Sequence, residues 1–460
     1  MPSINTKLYR NHLAKQFYDA IADSTVNLYV GIGRVSPWDN ESVPPTPTND
    51  VQSVQFGYWR DMIAAKRVSL ANTSFVVARR DWTANTVYTQ YDDTNPNIYS
   101  NNFFVLDTTN SPYRVYKCLW NNNGAKSTVP PSTTGGNTQP VATGDGYVWQ
   151  YMYHIASENL PFLTSSWMPV VTNSAVSATA LAYTGRIPTA VPLLVLDRGA
   201  NYNPIQNVTV TITGDGANAS VNGAFGSGNI TISSNVISNM YLYSGGSNYT
   251  QIDTINVYQF GATNANVRAI IPPFPNHGYD PVRELGATAL MFIVEFANTE
   301  SGALTTDNDF HRVVLLSNPK LYGNSALATD PFYRQTYDCE LLSNTGVFLP
   351  DDEIRVTSNT TYPVTATVVD VKSNSSGDFL RVTNVNPHGR SASSSEPLGD
   401  AFVTNDIVTC DTSGVSGVLG TIIPPELSYF SGNMLYVNHR TPITRNANQV
   451  EDIRLVFQFG

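Results

Sequence analysis

Asn27-Leu28-Tyr29-Val30-Gly31-Ile32-Gly33 alternates like a β-strand. Upstream of it, Tyr9, Leu13, Phe17 and Ile21 recur every four residues, with Ala14 and Ala20 beside them, and this spacing predicts one amphipathic helix. Downstream, Pro44, Pro45 and Pro47 mark a loop, because proline fixes φ and removes a backbone donor. Gln55 to Arg67, with Phe56, Trp59, Met62 and Ile63 on one side, is expected to form a second, short helix.

Strands dominate from there on. Ser74 to Val77, Asn102 to Leu106, Tyr113 to Leu119 and Tyr147 to Ile155 are short, β-branched or aromatic, and bounded by Asn, Gly, Pro and Asp. Asn121 to Gly144 is a polar loop with little to bury. Thr288 to Phe296 is an apolar run of buried-strand length, and His311 to Leu316 is expected to pair with it. Near the end, Met434 to Val437 and Ile453 to Phe459 alternate as two strands, joined by a polar stretch containing Pro442.

Two internal repeats stand out. With an offset of 47, Asn201-Tyr202-Asn203 matches Asn248-Tyr249-Thr250, Val208 and Val210 match Ile255 and Val257, and Gly214 matches Gly261. Two copies are too few for a solenoid, so a small β-domain is expected there. Phe348 to Val368 and Phe402 to Ile422 are loosely alike: a Phe, acidic residues, an Ile, then a strand rich in Thr, Gly and Val.

Composition narrows the function classes. The chain has 460 residues, which suggests about three domains. Charged residues are 13%, about half the usual share of roughly 25%. Tyr, Thr and Val suit pleated surfaces, and Asn, Gly and Pro punctuate them. The formal net charge is -10 with only 26 Lys and Arg, which argues against a nucleic-acid binder. Cys118, Cys339 and Cys410 form an odd, scattered set, which argues for reduced, cytoplasmic folding. No apolar run reaches the roughly 18 residues of a membrane span, and the N-terminus lacks a signal-peptide pattern.

The chemistry-bearing motifs each have a plain reading. Gly144-Asp145-Gly146 and Gly214-Asp215-Gly216 read as turns, since no calcium-loop ligand spacing follows. Gly31-Ile32-Gly33 lacks the third glycine of a dinucleotide fingerprint. Arg79-Arg80-Asp81-Trp82 is expected to hold an internal ion pair with Asp81 and an arginine stacked on Trp82. The histidines at 12, 154, 277, 311, 388 and 439 have no metal-ligand spacing. Asp92-Asp93 and Asp351-Asp352-Glu353 are adjacent acids, which on one strand point to opposite faces and in a loop are solvated. No catalytic, cofactor-binding or metal-binding residue is assigned.

Several strings, in order, resemble one family. They are Tyr29-Val30-Gly31-Ile32-Gly33-Arg34 with Pro37-Trp38, the Pro44-Pro45-Thr46-Pro47 loop, Arg79-Arg80-Asp81-Trp82, and Tyr113 to Leu119. Gly144 to Trp149, Ser431 to Tyr436, Asn438-His439-Arg440-Thr441-Pro442-Ile443 and Glu451 to Phe457 continue the series. Together they look like the T-even-phage baseplate wedge subunit family called gene product eight, over residues 1–173, 285–320 and 425–460. The resemblance implies a layered antiparallel β-sandwich core with a few peripheral helices, its first and last strands in one sheet system. It implies a homodimer that contacts other baseplate wedge proteins of a contractile tail. It also implies no enzymatic activity, cofactor, small-molecule substrate, nucleic acid or membrane partner. Such a subunit is made in the host cytoplasm and used in the virion.

The expected organisation follows. A first core segment at 1–173 leads into an inserted β-domain with the two-fold repeat at 174–274, then a second core segment at 275–320. A second β-rich insertion at 321–424 and a third core segment at 425–460 complete it. The alternative reading is a tail-fibre or receptor-binding module for host-surface carbohydrate, to which the Asn/Thr/Gly-rich inserts are suited.

Overall fold

The computed structural model describes residues 4–460 except 24, 49–50, 135–138, 173, 307, 375–376, 391–395, 397, 399–400 and 447. Residues 135–138 of the predicted polar loop therefore lie outside the described residues. The protein is mainly β, with several antiparallel sheets, a closed barrel and few helices. Among the described residues, no helix is long and apolar enough to cross a membrane. The chain divides into two compact units. One comprises Met1–Lys15, Ser74–Met291 and Val456–Gly460; the other comprises Gln16–Thr73 and Phe292–Leu455.

In the first unit, the strands Phe104–Asp107, Arg114–Trp120, Val148–His154 and Val141–Ala142 form one sheet. Its buried face is aromatic: Tyr88, Tyr116, Tyr147, Trp149 and Tyr151 pack with Val105 and Cys118. Rings this large bury apolar area with few rotamers to freeze, which suits a chain with short strands. A second sheet runs Thr209–Gly214, Ile252–Tyr258, Ala265–Arg268, Leu194–Asp197, and has its own core around Tyr202, Ile237, Met240 and Val257. Val210 and Val257, which the 47-residue offset equates, sit directly opposite each other. The two copies thus pair about a local two-fold axis. Asn201 and Asn248 both take φ near +60°, a left-handed turn that asparagine tolerates.

The second unit holds a five-stranded sheet in the order Phe332–Arg334, Met62–Arg67, Leu28–Gly33, Asp309–Ser317, Asn433–Thr444. Strands from near the two ends of the chain therefore flank one central strand, with Val30 opposite Leu315 and Leu315 opposite Tyr436. Three expectations are corrected here. The helix predicted over Gln55–Arg67 covers Gln52–Arg60, and Met62–Arg67 is a strand. Two-sided ladder pairing, with Leu28–Gly33 and Phe332–Arg334, overrides local helix preference. Asp309–Ser317 pairs with Leu28–Gly33 and Asn433–Thr444 and shares no sheet with the apolar run at 288–296. Pro442 interrupts no strand; it lies inside Asn433–Thr444, which sits at the sheet edge, where a missing N–H costs no ladder bond.

The barrel closes in the order Tyr337–Asn344, Gly377–Asn386, Thr365–Asn374, Glu353–Val356, Ile407–Cys410, Ser416–Ile423. Its interior, with Phe348, Ile354, Leu380, Phe402 and Val408, is continuous with Tyr29, Met62 and Val314 of the five-stranded sheet and with Trp59 of the helix Gln52–Arg60. Thr383 Oγ1 donates to the carbonyls of Arg60 (3.0 Å) and Met62 (3.3 Å), adding a polar tie at that junction. Arg355 and Thr409, which the Phe348/Phe402 offset equates, lie opposite each other.

Candidate functional site

Glycine sets the site up. A Cβ at Gly31 would meet Met62 Sδ at 2.5 Å, and one at Gly33 would meet the Asp61 carbonyl at 2.4 Å. The Gly31-Ile32-Gly33 string therefore serves close packing inside a sheet. Arg34 follows in a left-handed conformation (φ 56°), and its N–H donates to the Asp61 carbonyl at 2.7 Å. This turn sends the chain into the Pro37–Pro47 loop.

That loop folds against the sheet around Trp38. The Arg34 guanidinium lies 3.9 Å from the centre of the Trp38 ring, and the His439 ring lies 4.6 Å from it. Trp38 Nε1 donates to the Arg440 carbonyl at 2.8 Å. His439 Nδ1 meets the Pro45 carbonyl at 2.7 Å. The two sequence strings Pro37-Trp38 and His439-Arg440, 402 residues apart across the Trp38 bond, are thus one contact. A second layer lies beneath. Arg312 pairs with Asp61 through one guanidinium nitrogen and stacks on Tyr58 at 4.4 Å. The Tyr58 hydroxyl donates to the Thr48 carbonyl (2.9 Å) and accepts from its N–H (3.1 Å), pinning the far end of the loop.

The charges are arranged to stay where they are. Burial pushes the Asp61 carboxyl up, and Arg312 offsets only part of that rise. Burial, with Arg312 and Arg34 nearby, holds His439 down at about 4, although the Pro45 carbonyl opposes this. The imidazole is therefore neutral at pH 7 and packs as an aromatic ring. His311 Nδ1 meets the Arg34 carbonyl at 2.8 Å, and its Nε2 lies 3.2 Å from Glu41 Oε2. Glu41 Oε1 in turn accepts the Trp38 N–H at 2.6 Å. Asp61 is occupied by Arg312, and Glu41 by the Trp38 backbone donor with the His311 ring beside it. Such an arrangement orders a loop and locks two distant segments together.

The other motifs fall as follows. Asp145 accepts from Ser127 Oγ, from the N–H groups of Thr128 and Val129, and from Thr143 Oγ1. Burial pushes its carboxyl up, but these bonds outweigh that and hold it at about 2. Asp215 accepts from Thr250 and Gln251 in the same way. Arg79 forms a two-pronged ion pair with Asp81 at 2.8 and 2.9 Å. The stacked arginine is Arg80, and its ring is Phe104 at 4.8 Å, not Trp82, whose indole N–H goes to Ser127 Oγ. Asp92 and Asp93 are not left to solvent as loop acids; both turn onto Arg268, at 2.5 and 3.0 Å. Among the described residues, no group of three His, Cys, Asp or Glu is placed to hold a metal. Cys118, Cys339 and Cys410 are buried and unpaired. Sequence reading missed Asp61, Tyr58 and His311 as partners in the Trp38 tie. Their spacing carries no signal, because Tyr58 and Asp61 come from the end of one helix and His311 from a strand far along the chain, and only the fold brings them together.

No family model matches the chain. It is similar to the baseplate wedge protein gp8 of Enterobacteria phage T4, 27% identical over 194 aligned residues that cover 33% of this chain. The chain spans about 55% of the length of that curated relative.

Proposed function

We propose that the chain is a structural subunit of a phage tail baseplate: a wedge component, working as a homodimer, that holds neighbouring wedge proteins through assembly and tail contraction. The likeness to a baseplate wedge protein carries this reading. The Trp38 tie supports it. A subunit under mechanical load needs segments far apart in sequence fastened together, and here stacking and hydrogen bonds fasten the Trp38 loop to the strand that carries Arg440. Neighbours are held through interfaces on the order of 2,000 Å² or more, which exchange between discrete packings when the tail is triggered. The subunit is made in the host cytoplasm and ends in the virion.

Co-expression with the neighbouring tail genes, followed by size exclusion with light scattering, tests this. The expected result is a dimer alone and a larger complex with wedge partners. A stable trimer that ignores those partners overturns the proposal.

A further inference from the structure

Lys117 is an unusual lysine. It sits mid-strand in Arg114–Trp120, opposite Phe104 and Gln150, and its side chain is 0% exposed. Its ammonium is in direct contact with Glu284 Oε2, and the Glu284 side chain is 3% exposed. The face of Tyr91 also lies near Nζ, 4.9 Å from it to the ring centre. Glu284 Oε1 accepts a long bond, 3.3 Å, from the Asp280 N–H. His277 completes the cluster. It is buried, its ring stands edge-on to Tyr91 at 5.1 Å, and its Nδ1 lies 3.9 Å from Glu284 Oε2 with no hydrogen-bond partner. An apolar pocket lined by Leu119, Ile187, Val191 and Ile270 opens beside His277.

A lysine and a carboxylate that are dry, touching and poorly solvated by other groups are held at very high effective concentration. Burying the ammonium is costly, because a full set of hydrogen bonds does not surround it. Burial pulls the Lys117 amine below the ordinary lysine range, which favours the neutral, nucleophilic form.

We propose that Lys117 and Glu284 condense into an intramolecular isopeptide bond, with His277 as the proton carrier. The proton on Nζ passes first to the Glu284 carboxylate, giving an amine and a carboxylic acid. The Nζ lone pair attacks Glu284 Cδ, and a C–N bond forms. His277 Nδ1 takes a proton from the attacking nitrogen and returns it to the departing hydroxyl. The C–O bond breaks and one water leaves. Nothing is oxidised or reduced, and no co-reactant is needed. The product is a neutral amide, and the pocket at His277 offers the released water a place. The bond joins residues 167 apart in sequence. It staples the strand Arg114–Trp120 to the short helix Pro281–Glu284, both within the first unit. The inference stands apart from the baseplate reading, since it depends on the cluster alone.

Intact-mass measurement of the purified full-length chain decides it. The expected mass is lower than the sequence mass by one water. Protease digestion then yields a branched peptide carrying Lys117 joined to Glu284. Lys117→Arg, which keeps a cation beside Glu284, is expected to restore the full sequence mass. His277→Phe, which keeps the ring packing, is expected to slow bond formation at least tenfold in freshly made protein. A folded wild-type chain at full mass with no branched peptide overturns the proposal. So does a water loss that persists in Lys117→Arg, because it places the dehydration elsewhere. If Lys117→Arg fails to fold, the presence or absence of the branched peptide in the wild type still settles the matter.

Discussion

Two regions of this molecule are assembled in the same way and end differently. In the sheet around Val210 and Val257 and in the barrel around Arg355 and Thr409, strands that the sequence repeats equate pair antiparallel about a local two-fold. The first stays open: its strand Thr209–Gly214 has no buried residue, and two two-stranded sheets accompany it. The second closes. Its strands Thr365–Asn374 and Gly377–Asn386 are ten residues long, and register shifts bend the first of them around the barrel. In each barrel copy, one turn is built identically. Asp351 and Asn405 take φ of 68° and 71°. Asp352 accepts the Leu349 N–H at 2.8 Å, and Asp406 accepts the Val403 N–H at 2.9 Å. Each region thus repeats an antiparallel strand pair, and one sheet stays open where the other closes.

Equivalent residues have nevertheless diverged in what they hold, and this is where the comparison is most easily broken. Asp406 is buried and takes two further bonds from the Arg390 guanidinium, at 2.5 and 3.0 Å. Asp352 holds its own turn. Asp406→Ala leaves a mostly buried arginine without its partner and is expected to cost about 3–5 kcal/mol in urea denaturation. Asp352→Ala removes one turn bond and is expected to cost about 1 kcal/mol. Equal losses would mean that Arg390 contributes nothing to the barrel.

The open sheet offers a smaller contrast of the same kind. The Tyr202 hydroxyl donates to the Val257 carbonyl at 3.1 Å and accepts the buried Ala265 N–H at 2.8 Å. Its counterpart Tyr249 accepts from the Ala219 N–H, at 3.4 Å. Tyr202→Phe strands a buried donor and is expected to cost about 1–3 kcal/mol, against less than about 1 kcal/mol for Tyr249→Phe. Thermal unfolding of the two variants compares them directly.

Both duplications are legible as sequence. Each rests on local chemistry, an Asn-Tyr turn or a Phe with acids three or four residues on, that repeats at a fixed offset. The β class is legible for the same local reason. What sequence does not carry is long-range choice of partner. Met62–Arg67 reads as the end of a helix until strands on both sides claim it. Closure of the barrel depends on Tyr337–Asn344 meeting Ser416–Ile423, and no spacing announces it. The Trp38 tie is half visible. Its loop and its C-terminal string both carry family resemblance, but Asp61 lies 251 residues from Arg312 and has no pattern of its own. Lys117 and Glu284 give no sequence signal for the same reason, because burial is what makes them unusual.

The smallest expected effect sharpens the comparison within the open sheet. Asp215 closes the turn of the first copy onto Thr250 and Gln251 of the second, and these bonds hold its carboxyl at about 2. The barrel segments are joined by strand pairing at Arg355 and Thr409, and there too an exposed acid takes part, Asp411 pairing with Arg355 at 2.8 Å. Because the folded carboxyl titrates below its unfolded value of 3.8, this contribution is complete above about pH 4. It is lost as pH falls through about 2, where the folded form also takes up its proton. The Asp215 side chain is exposed, so global stability should barely move, and the effect belongs to the local link. Carboxyl-carbon NMR is expected to place the Asp215 midpoint at about 2. Amide exchange at Thr250 and Gln251 should quicken in the same range, and Asp215→Asn should remove that pH dependence. An Asp215 midpoint near the ordinary aspartate value would mean that strand pairing alone joins the two copies.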